Sequence, residues 1–165
     1  MNEPEKYAWA SAYQNRDIIW ISTDSGHGLC AYDPQGKETV LGLDADDNAL
    51  GVAVKAALGR SRFLSLDEAR EFLDYRRAEQ VYNERIKSLM EKYGYNNKAA
   101  LFGRMKRCDV TLVNGMIEIG PTTHEELDSW VRNKSDGLED VLVSADAPAE
   151  RIGAALRLGF SRCIA

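Results

Sequence analysis

Two histidines, His27 and His124, are the chain's whole supply of imidazole, so any mechanism built on a histidine base or a histidine-rich metal site must use one of them. His27 stands between glycines in Ser25-Gly26-His27-Gly28-Leu29, a loop that could present an imidazole or cradle an anion with its amides. The spacing fits neither the P-loop nor the dinucleotide fingerprint, because both need a helix to follow and the next residues read as a strand. A turn leading into a hairpin is the favoured reading. His124 begins His124-Glu125-Glu126, but four positions on stands Asp128 where a zinc protease would have its second histidine. A zinc site wants three or four ligands, so a solvated helix start is expected instead, with no metal or other cofactor. The serines of Ser61-Arg62 and Ser161-Arg162 lack the glycine-framed elbow of an esterase nucleophile. Their arginines are suited to cap helix C-termini or to hold a carboxylate by two parallel bonds. Cys30, Cys108 and Cys163 are odd in number and far apart, which writes neither a disulfide framework nor a metal knuckle. Arg162 beside Cys163 would favour a thiolate if the two touched, but adjacency in sequence does not establish contact.

A nucleic-acid surface needs clustered cations to neutralise phosphates. The best basic and aromatic mixture is Tyr93, Tyr95, Lys98, Arg104, Lys106 and Arg107, within a chain whose net charge is −5. Direct nucleic-acid binding is therefore not expected, whereas a basic protein partner would be attracted over a distance.

The elements that must position these residues are legible in outline. At 165 residues the chain suits one hydrophobic core, and a single domain over residues 1–165 is expected. No stretch approaches the roughly 18 apolar residues of a membrane span. The opening Met-Asn-Glu-Pro-Glu-Lys is acidic and mixed rather than basic then apolar, so a secretory signal is not expected and cytoplasmic residence is. Asp17 to Ser22 reads as a strand, Thr23 to Gly28 as a loop, and two further strands flank the turn Pro34-Gln35-Gly36. Asp44, Asp46 and Asp47 offer N-cap oxygens to a helix reaching about Gly59. Ser65-Leu66-Asp67-Glu68 is a capping box for the next helical stretch, which runs to Lys92 with a break expected within Asp74 to Gln80. Asn96 or Asn97 caps a short helix through Met105, and Asn114-Gly115 between alternating segments marks a hairpin. Thr122 or Thr123, each three residues before a glutamate, should cap a helix ending near Arg132. A loop, a strand from Asp140 to Ser144 and a final helix entered at Pro148 complete the chain. The fold class is mixed α/β of the α+β type, an antiparallel-rich sheet with helices packed on it.

Residues 40–64 and 140–164 both read strand, Ala-Asp, small-residue helix, Gly, Ser-Arg, with Ala45, Asp46, Gly59, Ser61 and Arg62 matching Ala145, Asp146, Gly159, Ser161 and Arg162. Either two equivalent helices lie side by side across one sheet, or two alanine-rich helices have converged. The pattern speaks of architecture, not chemistry.

Lys92 to Cys108, Gly120 to Trp130 and Ala145 to Cys163, together with Leu50 to Ser65, resemble the immunity-protein family of bacterial contact-dependent growth inhibition (CDI) systems, the CdiI family. The resemblance runs from about Leu43 to the C-terminus, while the first forty residues match only as a strand-rich start. It implies a cytoplasmic antidote, an inhibitor and not an enzyme, that binds the C-terminal toxin domain of a cell-surface effector of the CdiA type in a one-to-one complex. The toxin implied is a nuclease, often one acting on RNA, whose active site the antidote would occlude. Such family likeness does not name the contact residues. From the residues themselves, the candidates are the acids Asp44, Asp46, Asp47, Asp136, Glu139 and Asp140, with Trp9 and Tyr13 as aromatic anchors. Two rival readings stay open: a small regulatory adaptor, and an enzyme using His27 or His124.

Overall fold

A computed structural model describes residues 6–165; residues 1–5, on which most of the secretory-signal reading rests, lie outside the described residues. The chain begins with two antiparallel strands, β1 (Ala8–Gln14) and β2 (Ile18–Gly26), followed by the short β3 (Cys30–Tyr32) and β4 (Glu38–Gly42). Helices α1 (Asp47–Gly59), α2 (Leu66–Phe72), α3 (Tyr75–Tyr93) and α4 (Lys98–Phe102) come next. A second hairpin, β5 (Lys106–Val113) and β6 (Met116–Pro121), is followed by a small one, β7 (Thr123–Glu126) and β8 (Ser129–Val131). The chain ends with β9 (Val141–Ser144) and α5 (Ala149–Arg162). The main sheet has the order β3-β2-β1-β5-β6-β9, with β4 beside β2 next to β3, and each of its named pairings is antiparallel.

Alternation along the strands gives the sheet two different faces. Ala10, Ala12, Ile19, Ile21, Val110, Ile117 and Ile119 point to one, where Leu50 and Val54 of α1 and Ile152, Leu156 and Phe160 of α5 close the core. Small alanines in the middle strand leave room for two helices rather than one. Ile18 and Trp20 meet Ile86 and Leu89 of α3, and Leu101 and Phe102 of α4, in a second core on the other face. Full burial of each large apolar side chain contributes about 1.5–3 kcal/mol, which is what holds α3 to the sheet despite its mostly polar surface.

The structure resolves the question raised by the repeated segment. Ser11 of β1 pairs with Asp109 of β5 at the sheet's centre, and on either side of that pair the hairpins β1-β2 and β5-β6, the edge strands β4 and β9, and the helices α1 and α5 correspond. The helices cross reciprocally: Gly51 packs on the Ala149 carbonyl and Gly153 on the Asp47 carbonyl. The helical equivalence is thus a shift of 102 positions (149 − 47 and 153 − 51), and it also relates the two N-cap residues, Asp46 and Pro148. The letter matches seen in the sequence sit at a shift of one hundred, two residues and about 200° of helix out of this register. The two halves repeat in topology, while the matching letters do not occupy equivalent positions of the two helices.

Several expectations are corrected. Thr23 to Gly26 is no loop: it extends β2, buried throughout, because β1, β3 and Gly26's backbone bonds to the 62–64 segment leave the stretch no route to solvent. The polar start conceals β1, whose Ala-Trp-Ala-Ser-Ala-Tyr alternation is masked by small and polar residues facing a partly polar sheet surface. The helix expected after Thr122 is the β7-β8 hairpin: Thr122 donates to the Arg107 carbonyl and Thr123 to Asp136, so neither caps a helix. The break before α3 falls at Asp74, which caps it, and α4 ends at Phe102, short of Met105.

Candidate functional site

Residues directly opposed on neighbouring strands share a face, and the sheet face bearing Trp20 also carries a polar band. Ser11 stands opposite both Ser22 and Asp109, and its hydroxyl donates to Asp24 Oδ2 at 2.5 Å. Arg107 pairs with Asp109 at 2.9 Å. From α3, Arg85 reaches across the band, donating to Ser22 Oγ (2.7 Å) and Glu38 Oε2 (2.9 Å), with its guanidinium over the rings of Trp20 and Tyr32. Burial pushes the Asp24 carboxyl above the usual carboxylate range, against the downward pull of the Ser11 hydrogen bond and of Arg107 and Arg85.

A second cluster lies at the end of β2. Asp33, fully buried, accepts from Arg62 Nε (2.7 Å) and Nη2 (3.0 Å) and from Ser25 Oγ (2.6 Å). Burial opposes its charge, yet the Arg62 and Ser25 hydrogen bonds hold its carboxyl below the ordinary value. Ser61 donates to the Asp24 carbonyl at 2.6 Å and accepts the Trp9 amide. The pair Ser61-Arg62 is therefore a clamp joining the end of α1 to β1, β2 and the turn after β3. Its sequence counterpart differs: Ser161 donates to the Leu158 carbonyl, and Arg162 grips the carbonyls of Glu139 and Asp140 rather than a carboxylate.

Neither histidine meets these clusters in a catalytic arrangement. His27 Nδ1 lies 2.8 Å from the Leu64 carbonyl and its ring rests on Phe63. His124, on a strand instead of a helix start, places Nε2 2.8 Å from the Leu127 carbonyl and stacks on Trp130. Asp128, the other half of the imagined metal pair, accepts from the Tyr82 hydroxyl. Among the described residues no three His, Cys, Asp or Glu side chains converge as metal ligands. The basic and aromatic residues of the 93–107 stretch disperse into internal contacts: Tyr95 donates to Asp17, Lys98 lies over Tyr82, and Arg107 holds Asp109.

The candidate contact acids fall into two groups on separate elements. Asp46 caps α1 through the Ala49 amide, Asp47 pairs with Arg157 of α5 at 2.6 Å, and Asp44 is exposed just before them. Asp46 and Asp47 line a cleft of about 540 Å³ with Asn48, Glu150, Arg151 and Ala154. Glu150 escaped the sequence reading because only the helix crossing brings it to this rim; its signal is its place in the first turn of the equivalent helix. In the other group, Asp136 accepts from Thr123, Asp140 pairs with Arg132, and Glu139 is exposed. Trp9 is buried, its ring stacked between Tyr7 and Phe63, and Tyr13 is half-buried, stacked on Trp20 and edge-on to Trp130. Both rings are committed to the fold.

The model of the family "CdiI: CDI immunity protein" matches residues 8–163. The chain belongs to the CDI immunity protein family. The match takes in the N-terminal strands that the sequence resemblance had left out, and it makes this a binding protein rather than an enzyme. The immunity protein CdiI-YPIII of Yersinia pseudotuberculosis serotype O:3 is 39% identical to this CdiI chain, with 99% of each sequence covered. A solved chain from a Yersinia pseudotuberculosis CdiA-CT/CdiI toxin and immunity complex superposes with a TM-score of 0.88 at 38% identity, covering 96% of this chain and 98% of that one. A Neisseria meningitidis protein of unknown function matches with a TM-score of 0.90 at 35% identity, over 99% of both chains.

Proposed function

We propose that this CdiI protein binds the C-terminal toxin domain of a cognate CdiA-type effector in the cytoplasm, one to one, and neutralises it by covering the active site of a basic nuclease. The observation that carries the reading is the full-length likeness, in both sequence and fold, to a chain solved in a toxin and immunity complex. The charge fits: a body of net charge −5 accelerates encounter with a cationic partner, and buried anchors then slow release. The acidic rim at the α1-α5 crossing, Asp46 and Asp47 with Glu150, and Asp44 exposed just before α1, are the first surface to test, and Asp136, Glu139 and Asp140 the second. Trp9 is buried and Tyr13 half-buried with its ring on Trp20, so we expect them to hold the surface in shape more than to project from it.

Co-expression with the toxin domain of the neighbouring effector should restore growth, and the purified pair should run as a one-to-one complex. No rescue and no complex would reject the reading. Asp44 is the cleanest probe of the acids around the start of α1, since Asp46 caps α1 and Asp47 holds Arg157, so that changing either also disturbs the fold. Asp44→Lys should lower the association rate constant severalfold at low salt and hardly at all at high salt. A rate unchanged at both would remove Asp44 from the contact surface.

A further inference from the structure

The central strand β5 and the end of α5 bring together two thiols that toxin binding does not account for. Cys108, buried, lies with its sulfur 3.6 Å from that of Cys163, the half-buried residue that terminates α5. Gly159, one turn earlier on α5, leaves the space: a side chain there would press on Cys108 Sγ and Ile119. Cys163 Sγ also lies 3.2 Å from the Arg107 carbonyl oxygen and 3.5 Å from that of Gly159, acceptors that share its single proton while it is a thiol, and the next residue is tied to the Thr122–His124 segment by Ile164 N to Thr122 O and His124 N to Ile164 O. The chain end is thus held over the buried sulfur by bonds on both sides of Cys163. The third cysteine, Cys30, is exposed at the start of β3.

We propose that Cys108 and Cys163 are an oxidative modification site, a dithiol that hydrogen peroxide closes into a disulfide pinning the end of α5 to the central strand. The reaction begins at Cys163, the more accessible of the two. Its thiolate attacks the peroxide, a sulfur–oxygen bond forms, the oxygen–oxygen bond breaks, and hydroxide leaves as water on taking up a proton. Cys108 then attacks the sulfenic sulfur: the sulfur–sulfur bond forms, the sulfur–oxygen bond breaks, and the departing hydroxide takes the Cys108 proton to give a second water. Two thiols are oxidised together by two electrons and one peroxide is reduced. The order agrees with the contact between the sulfurs, which together with burial pushes the Cys108 thiol up and favours the thiolate at Cys163. Closing the gap from 3.6 Å to a bond of about 2.05 Å needs a shift of roughly 1.5 Å, within reach of side-chain rotation at a residue past the last helical turn. In a reducing compartment the pair stays open, so the bond would mark oxidative stress rather than routine folding.

The test uses the folded full chain carrying Cys30→Ser, which removes the exposed thiol. Hydrogen peroxide should abolish both remaining thiols in parallel. Peptide mapping without reductant should find an intramolecular 108–163 link lighter by two hydrogens, and dithiothreitol should restore both thiols. The oxidised protein should melt several degrees above the reduced one, because the link removes freedom from the unfolded chain. Oxidation of Cys163 to sulfinic acid while Cys108 remains a free thiol, linkage only between molecules, or two thiols untouched by peroxide in the native protein would each overturn the assignment. These outcomes are read without the toxin, so they are independent of the proposed function.

Discussion

The sharpest demand the structure makes is at the crossing of α1 and α5, where each helix lays a glycine against the other's backbone. A Cβ added to Gly51 would fall well inside 3.0 Å of the Ala149 carbonyl oxygen, and one added to Gly153 equally close to that of Asp47. Neither obstacle is a side-chain tip that can swing aside, since both are main chain in the first turn of a helix. Restoring ordinary contact means parting the helices by roughly 1–1.5 Å, which forfeits much of the dispersion along the seam. The residues that lose it are Leu50 and Val54 on one side and Ile152 and Leu156 on the other, all fully buried. Overpacking costs about 1–3 kcal/mol, and a rigid obstacle places Gly51→Ala at the upper end, about 3 kcal/mol. For a chain of this size that is a drop of roughly 6–12 °C in melting temperature.

The reciprocity makes the prediction stronger. One opening of the crossing relieves both clashes, so Gly51→Ala with Gly153→Ala together should cost less than the sum of the singles by about 1–2 kcal/mol. Gly59→Ala is the control: it ends the same helix with nothing within 4 Å of the added carbon and should be neutral or stabilising by up to about 1 kcal/mol. Urea denaturation of the four variants beside the parent measures the free energies, and thermal melting the shift in temperature. A Gly51→Ala protein melting within a degree or two of the parent, or strictly additive singles, would refute the close crossing and with it the equivalence of the two halves.

Two buried aspartates should respond to pH in opposite senses. The folded value of Asp33 is lowered, so its stabilisation is present in full above its ordinary value of 3.8 and fades as pH falls through the folded value; Asp33→Asn should cost about 2 kcal/mol at pH 7 and progressively less in acid. The folded value of Asp24 is raised, so the charged side chain disfavours the fold above that value and the penalty vanishes as pH falls towards 3.8. Asp24→Asn, which keeps an acceptor for Ser11, should therefore match or exceed the parent at pH 7 and converge with it near pH 4; denaturation at both pH values distinguishes the two cases. Gly115→Ala should cost about 1–2 kcal/mol by thermal melting, because the β5-β6 turn holds this residue at φ +72°. Asp46→Ala should lose about 1 kcal/mol of stability through the α1 cap, whereas Asp46→Asn, a competent cap, should not.

The amino-acid sequence by itself determined the local devices. The capping box at Ser65, the Asp46 and Asn97 caps, the left-handed Asn114-Gly115 turn and the apolar faces of α1 and α5 depend on neighbours three or four positions away, so short-range chemistry suffices. Family membership was also legible, since widely spaced segments keep a recognisable pattern. What sequence could not decide depended on partners far along the chain. Thr122 and Thr123 carry a helix-cap signature, but the Arg107 carbonyl and Asp136 claim their hydroxyls and the segment folds as strand. Thr23 to Gly26 looks like a loop until β1 and β3 pair with it. The acidic rim gains Glu150 only because the last helix crosses the first, and Cys108 gains Cys163 only because that helix lies over the β5-β6 hairpin. Alignment by letters placed the repeat two residues from its true register, because two glycine Cα atoms lying on main-chain carbonyls fix the crossing to the residue, while alanines and leucines recur on any buried helix. Local propensity wrote the elements; the long-range packing of backbone on backbone chose which of their side chains would share a surface.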